Sequence, residues 1–217
     1  MRPVKLAIIY YSATGTNHQV AGVFQRAAQE VGAEVRLRKV REQAPAYVID
    51  RDQEWRAHLE ATLHVPEVTH DDLRWADAYL FGSPARFGNV AAPFKQYIDS
   101  TFGLWMQGLL ANKVAAGFTS ADTPHGGQET TLLAMYNMLY HWGAILVPPG
   151  YTDEALFAAG GNPYGLSVTA TGEALPVEVV AAARHMARRV VMVTRWLVAG
   201  REQLAGTAEG VGTRVEA

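Results

Sequence analysis

The chain has 217 residues, of which 49% are hydrophobic and 18% charged, with a formal net charge of −2 and no cysteine. That length and apolar content suit one α/β domain with a sizeable core and exclude a disordered chain. The near-neutral charge argues against a nucleic-acid partner or an acidic docking protein, and the lack of cysteine excludes disulfide scaffolds, thiolate metal sites and a cysteine nucleophile.

Met1-Arg2-Pro3-Val4 leads straight into an apolar segment, Val4 to Ile9, interrupted only by Lys5, which reads as a buried strand. No signal-peptide pattern precedes it and no apolar run reaches membrane-spanning length, so a cytoplasmic protein without membrane insertion is expected. After the strand come Tyr10-Tyr11-Ser12-Ala13-Thr14-Gly15-Thr16-Asn17, and then Val20, Ala21, Val23, Phe24 and Ala27 at helical spacing. A strand-to-helix turn of this kind aims free backbone N–H groups and the positive end of a helix dipole at one point. Ser12, Thr14, Thr16 and Asn17 add side-chain donors, and Gly15 permits close approach or positive φ.

The expected guest is a phosphate. No lysine or arginine lies between Tyr10 and Asn17, whereas a nucleoside-triphosphate loop needs one, and a dinucleotide fingerprint needs more than the single glycine here. A neutral nest of hydroxyls and amides suits one terminal monophosphate, as in flavin mononucleotide (FMN). An ordinary N-capped first helix of an α/β protein is the competing explanation.

The first helix is expected to end near Gly32, with Ala33 to Leu37 as a second strand. From Arg41 to His70 the pattern weakens to a long surface loop with a helical turn near Trp55 to Leu63. His58, His64 and His70 are spaced six apart and so fall on different helix faces; solvated or interface positions are expected rather than metal ligation. Thr69 is placed to cap a short helix over Asp71 to Trp75. Ala78 to Gly82 reads as a central strand delivering a second loop, Ser83 to Asn89, followed by a helix over Ala92 to Thr101. Lys113 to Thr119 is another strand, delivering a third loop, Ser120 to Gly127, and a helix over Gln128 to Trp142. Ala144 to Val147 is a last strand, and Gly160 to Gly165 is irregular.

A final helix is expected from Pro176 to about Val198, stopped by Gly200, so that residues 1–200 form one domain and 201–217 a disordered tail. Five strands alternating with helices give a doubly wound parallel sheet in a three-layer α/β/α arrangement. In such sheets ligands bind outside the C-terminal strand edges, where all three loops lie.

Phe81-Gly82-Ser83-Pro84-Ala85-Arg86-Phe87-Gly88-Asn89, Gly103-Leu104-Trp105, Gly126-Gly127-Gln128-Glu129-Thr130, Pro148 with Gly150-Tyr151, and Pro163-Tyr164-Gly165 together resemble the WrbA family of flavodoxin-like NAD(P)H:quinone oxidoreductases (type IV). The likeness extends to about Gly200. It implies strand order 2-1-3-4-5 and FMN as cofactor, with NADH or NADPH as donor and a small quinone as acceptor, the two alternating over the ring in a ping-pong scheme. By the same likeness Ser12, Ala13, Thr14, Gly15, Thr16 and Asn17 would hold the phosphate. Pro84, Ala85, Arg86, Phe87, Gly88 and Asn89 would line the ring, and Ser120, Ala121, Asp122, Gly126 and Gly127 would meet its pyrimidine end. Trp105, His141 and Tyr151 would form the substrate neighbourhood, with His141 also near the flavin, and neighbouring subunits of a homotetramer (a dimer of dimers) would close the site.

Two departures stand out. Thr14 and Thr16 replace the tyrosine and histidine frequent in the family, and the Asp122-Thr123-Pro124-His125 segment is one residue longer than the usual Ser/Thr/Gly run. Asp122 is expected to point away from the ring, because a carboxylate there would disfavour a reduced flavin anion. Asn112, where glycine is common, tolerates the left-handed region. A flavodoxin-like electron carrier or a non-catalytic FMN-binding protein is the alternative, although a carrier would ordinarily show a more acidic face.

Overall fold

The computed structural model describes residues 2–207. Its strands are β1 (Lys5–Tyr10), β2 (Glu34–Lys39), β3 (Ala78–Arg86), β4 (Asn89–Val90), β5 (Val114–Ala121), β6 (Ile145–Leu146) and β7 (Leu166–Thr169). The sheet runs in the order β2-β1-β3-β5-β6, the flavodoxin-like 2-1-3-4-5 arrangement. Its ladders are parallel except for the β3–β4 hairpin.

The last position of that order is shared by two strands. β6 pairs with Val114 and Ala115 at the start of β5, and β7 pairs with Phe118 to Ala121 at its end. Between them the chain leaves the sheet, forms α8 (Glu154–Ala158) and returns. The strand expected at Ala144 to Val147 is thus only the first half of the fifth strand, and the second half follows the glycine-rich stretch.

Alternation along β1 fixes the two faces. Leu6, Ile8 and Tyr10 pack with α1 (Thr16–Glu30) and α9 (Val177–Thr207) in one core. Ala7, Ile9 and Tyr11 face the other core, covered by α4 (His70–Trp75), α5 (Ala92–Ser100), α6 (Phe102–Met106) and α7 (Gln128–His141). The helix α4 opens on a capping box between Thr69 and Asp72.

Two further expectations are corrected. β3 continues through Ser83, Pro84 and Ala85 to Arg86, and only Phe87 and Gly88 form the turn into β4. A proline is tolerated there because β1 pairs with β3 only as far as Gly82, leaving Pro84 a strand neighbour on one side alone. The last helix also passes through Gly200, at a cost of about 1 kcal/mol relative to alanine. Contacts beyond it carry the helix on, with the Arg201 guanidinium donating to Asn112 O and Glu202 lying 3.9 Å from Arg2. The tail expected over 201–217 is helical to Thr207, and the remainder falls outside the described residues. No helix among the described residues is long and apolar enough to cross a membrane.

Candidate functional site

β1 and β3 end side by side, since Tyr11 N donates to Gly82 O at 2.9 Å, and the chain then turns into α1. Gly15 sits at the helix N-cap with φ 107°, and no side chain caps the helix; its first turn holds no acidic residue. No side chain therefore satisfies the amides that open α1. The amides opening α1 have no acceptor inside the helix, so they and the dipole present a seat for an anion. Gly15 N itself donates to Ser12 Oγ at 3.0 Å, which tightens the loop around that seat.

Asn17 completes the fit. Its amide donates to Tyr11 O at 3.2 Å, while its Oδ1 is buried without a hydrogen-bond partner among the described residues. An orphaned buried acceptor costs about 1–3 kcal/mol, which the hydroxyls of a ribityl phosphate would relieve. An uncapped helix start, uncharged hydroxyls and a spare acceptor together match the phosphate and sugar-alcohol end of FMN.

The other two loops are interlocked. A Cβ on Gly127, which has φ 77°, would lie 2.6 Å from Gly88 Cα, so the turn after β3 and the turn before α7 touch backbone to backbone. Ser83 Oγ accepts from Ala91 N at 2.8 Å and Thr119 Oγ1 donates to Ser83 O at 2.7 Å, which fixes both loops to the sheet. Phe87 takes φ 52° and is fully exposed, a costly conformation for a bulky side chain and one that concentrates at ligand sites.

Three cavities meet here. One of about 200 Å³ is lined by Ser12, Ala13, Thr14, Thr16, Pro84, Arg86, Ser120 and Asp122, which joins all three loops, together with Asp52 and Trp55. A second of about 810 Å³ lies beside Phe87, Asn89 and Val90 and reaches Tyr11 and Glu42. The third, about 160 Å³, lies behind the loop against His58 and Leu59. Asp122 lines the first cavity together with Ser12, Thr14 and Arg86. Gly127 forms the junction with Gly88, whereas a Cβ on Gly126 would meet its own loop, 2.5 Å from Ala121 Cβ.

The segment read as a surface loop holds α2 (Ala46–Ile49) and α3 (Gln53–Ala61) and folds back over the phosphate loop. The Glu42 carboxylate is its anchor, accepting from Tyr11 Oη at 3.0 Å, Trp55 Nε1 at 2.9 Å, Gln43 N at 2.7 Å and Ala44 N at 2.8 Å. Burial, then the charge of Glu42, raises the Tyr11 pKa, so the hydroxyl stays a donor. His58 is half-buried rather than solvated, and a Cβ on Gly15 would lie 3.3 Å from its Nδ1. Its ring stands 5.5 Å from His18, whose Nδ1 is 2.6 Å from Tyr10 Oη. Burial first, then His18 and Lys39, lowers the His58 pKa to about 4, so it packs as a neutral ring. Six-residue spacing along one helix could not reveal this, because the contacts come from α1 and β1.

Trp105 and His141 lie elsewhere. Trp105 Nε1 donates to His141 O at 2.6 Å, and both line a cavity of about 230 Å³ with Phe102, Met138 and Trp142. α7 begins at the loop junction and its 14 residues carry the chain about 21 Å to the opposite edge of the sheet, where Gly143 O accepts from Asn112 N. Asn112 there has φ 61°, the left-handed conformation expected of it. Neither Trp105 nor His141 lines a cavity at the three loops of its own chain. Tyr151 lies on the insert between β6 and β7, its ring stacked on Phe157 at 5.0 Å.

A doubly wound sheet whose first crossover leaves an uncapped helix start beside two interlocked edge loops has the flavodoxin-like fold. The chain belongs to the NADPH-dependent FMN reductase family, whose model matches residues 4–154. It is 52% identical over 196 residues to a Deinococcus radiodurans protein named NAD(P)H dehydrogenase (quinone), covering 90% of this chain and 98% of that one. A Geotalea daltonii protein of the same name is 39% identical over 206 residues, covering 91% of this chain and 100% of that one. Among solved structures, the flavodoxin, WrbA-like protein from Agrobacterium tumefaciens matches with TM-score 0.66 and 20% identity, over 89% of this chain and 98% of its own.

Proposed function

We propose that this chain holds FMN and uses it to reduce quinones with NAD(P)H in two-electron steps. The observation that carries the reading is the uncapped start of α1, set beside the Gly88–Gly127 junction on one sheet edge. The family and the names of its relatives supply the chemistry. FMN would supply hydride acceptance and donation, and this chain's residues bind, orient and shield.

The amides of Thr16 and Asn17 and the hydroxyls of Ser12, Thr14 and Thr16 hold the phosphate, while Asn17 Oδ1 receives a ribityl hydroxyl. The Pro84–Asn89 segment and the Ser120–Gly127 loop face the ring, and Phe87 borders the larger cavity, where nicotinamide and quinone alternate. We further propose that the chain works in the cytoplasm as a homotetramer. Phe102, Trp105, Met106, Tyr140, Tyr151 and Phe157 are exposed apolar side chains of a size seldom left to water. Assembly would cover them and bring Trp105, His141 and Tyr151 to the ring of another copy. There an indole offers a stacking wall, and His141 donates to a quinone oxygen as charge develops on it.

The test is a spectrum of purified protein reconstituted with FMN, followed by NADH addition with and without benzoquinone. A bound flavin bleached by NADH and restored by quinone is expected. A protein that takes up no FMN, or whose bound flavin ignores NADH, refutes the reading.

A further inference from the structure

Trp55 is the residue at which the cavities of the site meet. It lines the phosphate-side cavity with Ser12 and Thr14, the larger ring-side cavity with Tyr11 and Phe87, and the one behind the loop with His58. A ligand anchored at the start of α1 and extending toward Phe87 has to pass it. Its N–H is committed to Glu42 at 2.9 Å, so what the indole offers that ligand is apolar π surface.

The mounting is rigid. Asp52 caps α3, its carboxylate accepting from Glu54 N at 3.0 Å and Trp55 N at 3.1 Å. Glu42 ties the indole to Tyr11 at the head of the phosphate loop. α3 has no buried residue of its own, so these hydrogen bonds, rather than an apolar stripe, hold it over the site. A helix kept in place by polar contacts to a ligand loop, with one aromatic turned into the ligand's path, is built for that aromatic.

We propose that Trp55 is a flavin-contacting residue, its indole walling the passage of the ribityl chain and the near edge of the ring, and that Glu42 is the positioning residue that holds it there. The inference rests on the FMN reading above. It identifies one side of the site within a single chain, independent of assembly.

The experiment is FMN titration into apoprotein, following flavin fluorescence, for wild type, Trp55→Phe, Trp55→Ala and Glu42→Gln, with the exposed Trp196→Phe as control. An indole in contact with a flavin quenches its emission by electron transfer, which phenylalanine does not. In wild type, binding should extinguish the emission. Trp55→Ala should weaken FMN binding about tenfold through loss of one aromatic contact, and the bound flavin should become several-fold brighter. Trp55→Phe should bind nearly as well as wild type yet show the same brightening, which a merely structural tryptophan would not produce. Glu42→Gln should give intermediate brightening, and Trp196→Phe none. If both Trp55 variants bind and quench as wild type does, the proposal is overturned while the FMN reading stands. If wild type itself binds no FMN, both fall.

Discussion

Replacing Gly127 with alanine tests the junction that holds the two ring loops together. The new methyl would sit 2.6 Å from Gly88 Cα, 3.1 Å from Gly88 N and 3.2 Å from Thr130 Oγ1. Carbon atoms pack best at about 3.5–4.0 Å, so the turns must part by about 1 Å, and the nearest obstacle is backbone that no rotamer change can move. Positive φ adds about 1 kcal/mol and the overpacking about 2 kcal/mol more. For a chain of this length about 3 kcal/mol lowers Tm by roughly 6–12 °C. Gly32→Ala is the control, since Gly32 also has positive φ (81°) but its Cβ would meet nothing within 4 Å. It should cost only about 1 kcal/mol, roughly 2–4 °C. Calorimetry of both apoproteins isolates the clash, and FMN titration then asks whether the parted loops still hold the ring, with at least a tenfold rise in Kd expected for Gly127→Ala alone. Should Gly127→Ala melt with Gly32→Ala and bind FMN like wild type, the reasoning about the junction is refuted.

Gly15→Val should abolish yellow holoprotein while leaving the far-ultraviolet circular dichroism intact, because a β-branched residue at φ 107° distorts the phosphate seat itself; retained FMN would show that the phosphate lies elsewhere. His58 predicts the acid limb of the stability profile. Its imidazole protonates near 6.5 in the unfolded chain but only at about 4 in the folded one. Stability is therefore level above pH 6.5 and falls as pH drops toward 4, by about 1–2 kcal/mol after allowance for partial exposure. His58→Gln should flatten that limb in urea titrations between pH 7 and 4, and an unchanged slope would remove His58 from the account. Trp105→Ala should leave the fold intact but shift the protein to smaller assemblies by light scattering. It should also lower kcat/KM for benzoquinone about tenfold or more, as loss of an interface anchor does; an unchanged assembly with unchanged kinetics would contradict the proposed role.

The elements that stood out in the sequence are those whose causes are local. The apolar run into Tyr10, the hydroxyls around one glycine and the helical spacing of Val20 to Ala27 sit within a few residues of one another, and the crossover they describe is the one observed. Lys113 to Thr119 was similarly legible, because a buried parallel strand is apolar on both faces. What escaped was set by distance along the chain. Glu42 meets Tyr11 across 31 residues, and α3 has no buried residue to give its pattern contrast, so Trp55 and His58 looked like surface. The partition of the fifth strand was hidden for a related reason. β6 is two residues long and β7 four, each too short to alternate visibly, and only pairing along the full length of β5 makes them one position. Trp105, His141 and Tyr151 were grouped by the family resemblance alone, since nothing local says which end of the sheet the far end of α7 reaches.

In the proposed site, a flavin seated on the carboxyl edge of one chain would have its phosphate, ribityl chain and one ring edge provided for by α1, Trp55 and the Gly88–Gly127 junction, with Phe87 bordering the larger cavity. Phe87 is held at φ 52° with its ring exposed, a backbone conformation that costs about 1–3 kcal/mol. At the other edge, Trp105 is fixed by its bond to His141 O while the ring stays 43% exposed. Each edge holds an exposed aromatic, Phe87 beside the candidate flavin seat and Trp105, whose ring lies 5.7 Å from that of Phe102, at the foot of α7. Joining the two edges between copies would bury both and exclude water from the ring, where hydride transfer gains most from a dry surround. Under the proposed homotetramer, assembly would be part of the catalytic apparatus, and dilution below its dissociation constant should lower turnover while FMN remains bound.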